Sequence, residues 1–291
     1  MKTTDRRHFI AQSALIGAAA AVAGVSSLQA QSTDPNRKFT ICLSPGAIGV
    51  VVADTDHLID LAHGYGFESI EARGAELAGM DAEELKELVA EMRSKRVAWG
   101  YAGLPVEFRQ DDAKFAEGLK ALPPIAAALQ KAGVTRVSTW ISPAHDTLTY
   151  KENFDRHTRR LREVAKILKE HSLRFGLEYV GTPTLRKAKA HEFIYNLKQT
   201  RELIAAINTG NVGVVLDSWH WWTSGETGKE LATVTNAEVV SVDLNDAPKG
   251  IPVDQQIDGE RELAASTGVI DIGTFVKALA KMGYDGPVRA E

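Results

Sequence analysis

From residue 39 onward, short runs of β-branched and aromatic residues alternate with longer stretches whose apolar positions recur at helical spacing. The strand-type runs are 39–44, 67–72, 97–101, 135–141, 173–179, 212–217, 238–244 and 287–291, eight in all. Between them the i, i+3, i+4, i+7 stripe appears as Leu85, Leu88, Val89 and Met92 behind a cap at Asp81. It recurs as Leu161, Val164, Ala165 and Leu168, and as Ile272, Phe275, Val276 and Leu279. The Gly after His63, Ala132, Thr209 and Met282 predicts a left-handed exit from each helix into the next strand. Pro123-Pro124 is expected to break an otherwise long helix. Strict β/α alternation needs parallel strands with crossover helices, and eight such units predict a closed (β/α)8 barrel.

The fold class expected is therefore α/β, a single-domain TIM barrel over 39–291. The chain has 291 residues, which alone leaves room for two domains, but no linker or shift in composition follows residue 38. Nothing helical follows the eighth run, so a barrel lacking its final helix is expected, from a chain truncated after Glu291.

Residues 1–30 break the pattern. A charged head with Arg6-Arg7, an Ala-rich apolar stretch and a small-residue exit at Ala30 are the layout of a secretory signal, similar to the twin-arginine type, with 31–38 as linker. The apolar run, interrupted by Gln12 and Ser13, is short for a membrane span. An exported, periplasmic protein without lasting membrane association is expected. Losing Lys2, Arg6, Arg7 and Asp5 makes the formal charge of −4 more negative still, which argues against nucleic acid as a partner. A lone Cys, Cys42, excludes an intrachain disulfide and, by alternation, faces the barrel interior as a small apolar residue.

In such a barrel, chemistry sits where strands end. Glu178, Asp217, Asp243 and Glu291 close four consecutive strand runs, the fifth to the eighth. An acid at a strand end is often only a helix cap, and Asp246 before Ala247-Pro248 reads as a turn residue. Four on consecutive strands would repel unless a cation compensates, and one divalent metal is the economical answer. Asp217 follows an apolar strand and is expected to lack a local partner. Arg289 shares the alternation face of Glu291 and should lie inside, paired with a carboxylate. Of eight His, only His145 and His220 stand near strand exits, too few for a His-rich polynuclear zinc centre. Trp140 and Trp219 are the aromatics best placed at the barrel mouth to pack against a bound substrate.

Leu177-Glu178-Tyr179, Asp217-x-x-His220, Val242-Asp243-Leu244-Asn245-Asp246, Asp258 with Arg261, and the closing 283–291 segment together resemble the sugar phosphate isomerase/epimerase family of xylose isomerase-like TIM barrels. That resemblance implies one divalent ion, Mn2+ or Mg2+ first with Co2+ or Zn2+ as alternatives, on Glu178, Asp217, Asp243 and Glu291. It further implies Glu178 and Glu291 as the acid/base pair and His220 and Arg261 as substrate-binding residues. The family's strand-seven His is Asp243 here, which favours a hard ion or leaves Asp243 to bind substrate. The activity implied is sugar isomerisation or epimerisation by proton abstraction next to a carbonyl through a metal-bound enediolate. A keto-sugar lyase or hydrolase and a non-catalytic sugar-binding barrel are the alternatives. The partner expected is a small sugar, with a homodimer or homotetramer as the assembly.

Overall fold

The computed structural model describes residues 37–291. The expected signal at 1–30 lies outside the described residues, as does the expected linker up to residue 36. Eight strands, β1 (Thr40–Leu43), β2 (Ser69–Ala72), β3 (Ala98–Gly103), β4 (Arg136–Ile141), β5 (Arg174–Tyr179), β6 (Val212–Asp217), β7 (Val239–Asp246) and β8 (Pro287–Ala290), pair in sequence order. Every pairing among these eight is parallel and β8 returns to β1, which closes the barrel, while Glu262 and Leu263 pair antiparallel with the end of β7.

Six longer helices form the outer layer: α1 (Thr55–Tyr65), α2 (Ala82–Ser94), α3 (Asp112–Ala132), α4 (Tyr150–Glu170), α5 (Leu197–Ile207) and α6 (Ile272–Met282). Their predicted stripes are the buried faces: Leu85, Leu88 and Met92 on α2, Leu161 to Leu168 on α4, and Ile272, Phe275 and Leu279 on α6. Asp81 caps α2 through a complete capping box with Glu84. Among the described residues no helix is long and apolar enough to cross a membrane.

Three local expectations need correction. Pro123 and Pro124 sit inside an unbroken α3. Proline's fixed φ is helical, and although each ring removes a helix N–H, the buried face of Phe115, Leu122, Ala126 and Leu129 holds both halves in one line. Gly64 lies within α1, whose left-handed exit is Gly66, and α5 ends on Asn208 rather than beside Gly210. Asparagine tolerates that conformation because its short amide bonds locally. Gly133 and Gly283 end α3 and α6 as expected.

The barrel interior is narrow and filled by small side chains. A Cβ on Gly176 would stand 2.9 Å from Val215 and Val240, and one on Gly100 would stand 2.7 Å from the Cys42 sulfur. Cys42 is buried as expected, and burial pushes its thiol up to about 12. Pairing between β6 and β7 skips Val240, so a bulge there brings Asp243 into register with Asp217. The bulge thus aligns two acids at the same barrel end.

Candidate active site

The carboxylates of Glu178, Asp217, Asp243 and Glu291 converge at the C-terminal end of the barrel, with one oxygen from each lying within 4.8 Å of all the others. Strand geometry does this. Glu178 shares the inward face of β5 with Gly176, while Phe175, Leu177 and Tyr179 pack outward against the helices.

The four acids are not equivalent. Asp217 is far from partnerless: Oδ1 accepts the Trp219 backbone N–H at 2.6 Å and the Asn245 amide at 3.1 Å. It therefore caps the short helix Ser218–Thr223 while facing the cluster. Asp243 is gripped by Arg289, whose Nε and Nη2 reach its two oxygens at 2.5 and 2.8 Å. Arg289 thus lies inside and paired with a carboxylate, and it also donates to the Tyr101 hydroxyl. Glu291 accepts from Arg261 at 2.5 Å. Glu178 is 8% exposed, and its Oε1 has no hydrogen-bond partner.

Burial, followed by the charges of the neighbouring acids, pushes the Glu178 and Asp243 carboxyls well above the usual range. Asp243 has a bidentate guanidinium to stabilise its charge, whereas Glu178 has no donor on Oε1. His220 is buried, and its ring is lowered to about 4, first by burial and then by Arg261, so it is neutral near pH 7. The Gly181 backbone N–H donates to Nδ1 at 3.2 Å, and Nε2 faces the Arg261 guanidinium at 3.4 Å. A Cβ on Gly181 would stand 2.2 Å from the His220 carbonyl oxygen, so this contact requires glycine.

The donor set suits a divalent cation. Four acids share two guanidiniums, and Glu178, nine-tenths buried, contributes an oxygen to the cluster while its Oε1 is unpaired. A second grouping of Glu178, Asp217 and His220 is also close enough. Of the two, the four-carboxylate oxygen set is the better match for a hard ion.

The two tryptophans separate. Trp140, in register with Glu178 on the adjacent strand, is 46% exposed and carries the Arg109 guanidinium 4.2 Å above its ring. Trp219 is fully buried, donates to Thr182 at 3.0 Å and lies 5.5 Å beneath the Arg261 guanidinium, so it offers no open ring face. Asp246 is the turn residue expected, accepting the backbone N–H groups of Ala247, Thr267, Gly268 and Ile270. Asn245, Tyr101 and Gly181 support the site without having been singled out in the sequence. Asn245 was within reach, since it stands two residues beyond Asp243 on the same strand face.

Residues 59–291 match the family described as xylose isomerase-like TIM barrel, and the chain belongs to that family. It is similar to a xylose isomerase domain protein from Alicyclobacillus acidocaldarius, with 29% identity over 87% of this chain and 88% of that one and a TM-score of 0.76. It shares its fold with the IOLI protein solved with a zinc atom, at 19% identity, 87% and 88% coverage and a TM-score of 0.70. Inosose isomerase from Bacillus subtilis (strain 168) is 25% identical over 131 residues, 45% of this chain, and the match spans only 44% of that relative's length.

Proposed function

We propose that the protein is a divalent-metal-dependent sugar isomerase or epimerase. The observation that carries this reading is the convergence of four strand-end carboxylates, one of them buried with an unpaired oxygen, at the active end of the barrel. The likeness to inosose isomerase and to a xylose isomerase domain protein supports the same class.

Glu178, Asp217 and Glu291, with Asp243 beside them, would hold Mn2+ or Mg2+. A bound ion of this kind polarises a substrate carbonyl and acidifies the neighbouring C–H. The chain's own groups do the rest. Glu178 and Glu291 face the cluster from opposite ends of the four-strand arc, and each is positioned to take or return a proton at the carbon next to the carbonyl. Return to the opposite face inverts the centre, and return to the adjacent carbon moves the carbonyl. Neutral His220, its ring held between the Gly181 N–H and the Arg261 guanidinium, stands beside the cluster to contact a substrate oxygen. Trp140 supplies an exposed ring at the mouth for an apolar sugar face. The acid-rich segment 254–262 makes an unphosphorylated sugar the better fit.

The test is solvent exchange. Incubating the purified protein with a panel of keto-sugars in deuterated water and Mn2+ should place deuterium next to the carbonyl, and EDTA should stop it. Exchange that proceeds unchanged in EDTA, or no exchange with any sugar that binds, would refute the assignment.

A further inference from the structure

Arg261 occupies the oxygens that a divalent ion needs. Its Nη1 lies 3.0 Å from Asp217 Oδ2 and 2.5 Å from Glu291 Oε2. Asp217 Oδ1 already accepts two donors, from Trp219 and Asn245, so Oδ2 is the oxygen left for a cation. An ion within bonding distance of Oδ2 and of Glu291 would sit against a guanidinium nitrogen, and two like charges at that separation in a buried site exclude each other.

The cluster's two arginines differ in how they are held. Arg289 belongs to β8 and is locked to Asp243 by two hydrogen bonds. Arg261 belongs to the segment between β7 and β8. Its Nε donates to the Asp258 carbonyl at 2.8 Å, and its Nη2 to the Asp258 carboxylate at 3.1 Å. Asp258 in turn takes the Thr182 hydroxyl at 2.8 Å. The flanking Ile257 and Leu263 side chains are exposed, so the turn is held by polar contacts rather than apolar packing: Glu262 and Leu263 pair antiparallel with Asp246 and Asn245, and the buried Gln256 amide donates to the Ile251 carbonyl at 2.9 Å. Arg289 is therefore a counter-charge fixed in a barrel strand, whereas Arg261 stands on a loop held by polar contacts.

We propose that Arg261 is a built-in counter-cation that competes with the divalent ion for Asp217 and Glu291, so that ion binding releases the Asp258–Arg261 turn. This rests on the divalent-ion reading above. It makes ion loading and the freeing of Arg261 toward the sugar a single event, and it explains how four acids persist together in a folded chain. Arg261 in this role is a positioning and gating residue.

The test uses the full chain, with Mn2+ as probe, read by calorimetric titration and by hydrogen exchange of residues 256–263. In the wild type, saturating Mn2+ should raise exchange across that segment. Arg261→Gln should bind Mn2+ at least tenfold tighter, with no further exchange change on binding, and Arg261→Lys, which keeps the charge but not the planar fork, should fall between. Mn2+ binding to the wild type without altered exchange at 256–263, or equal or weaker affinity in Arg261→Gln, would overturn the competition while leaving the metal site standing. No Mn2+ binding to any of the three proteins would remove both this proposal and the divalent-ion reading.

Discussion

Replacing Glu178 with Gln separates what this residue does for catalysis from what it costs the fold. Glu178 is 8% exposed, its Oε1 has no partner, and oxygens of Asp217, Asp243 and Glu291 stand within 4.8 Å of its carboxylate. A buried polar group without a hydrogen bond costs about 1–3 kcal/mol. Glutamine keeps the shape, cannot ionise, and brings an amide that can donate to any of the three facing carboxylates. In EDTA, Glu178→Gln should therefore be more stable than the wild type by about 1–2 kcal/mol, which for a chain of this size is roughly 2–8 °C in Tm. The sign with pH follows from the direction of the shift. An acid whose folded value is raised penalises the folded state above its unfolded value, increasingly as pH rises toward the folded one. The gain should accordingly be larger at pH 8 than at pH 5 and vanish near pH 4. Proton exchange at the sugar should fall by about 10²–10⁴ in the same variant. Differential scanning calorimetry across pH with EDTA, alongside exchange with Mn2+, measures both. A variant less stable than the wild type at pH 8, or a gain equal at pH 5 and pH 8, would refute the account of Glu178 as a strained, function-bound acid.

Two further variants probe the frame around the site. Asp246 accepts four backbone N–H groups, which outweigh the opposing effect of burial and lower its carboxyl to about 2. Asp246→Ala should cost about 3 kcal/mol in urea unfolding at pH 7, where the wild-type contribution is fully present, and the gap should narrow as pH falls from about 4 toward 2. Arg289→Met would leave Asp243 buried without its bidentate partner and should cost about 3–5 kcal/mol at pH 7. The loss should shrink in acid as Asp243 takes up a proton, and an unchanged urea midpoint at pH 7 would show that the pair contributes nothing.

What the sequence revealed and what it hid divide along a physical line. The barrel was legible because its parallel strands are covered by helices on one side and packed tightly on the other. Each strand therefore reads as a short apolar run, and each acid that interrupts such a run stands out. Arg289 was legible for the same reason: two residues from Glu291, it had to share its face, and the strand-end carboxylates there are the groups that meet its charge. The α3 prolines predict a break because their cost is local, whereas the buried face that offsets it is set by tertiary packing. Asp217 was misread because its partners are the backbone of the turn it initiates and an amide on the next strand. Trp219 shows the same limit, since a tryptophan beside the mouth looks like a sugar platform until the capped helix turns its ring beneath Arg261. Arg261 was the hardest case. Strand parity fixes where Arg289 points, but no periodicity governs a segment that leaves the barrel at β7 and returns at β8. Its guanidinium is held by Asp217, Glu291 and Asp258 and lies over the Trp219 ring, so what places it is the charge and shape of the assembled site, which no local sequence pattern encodes.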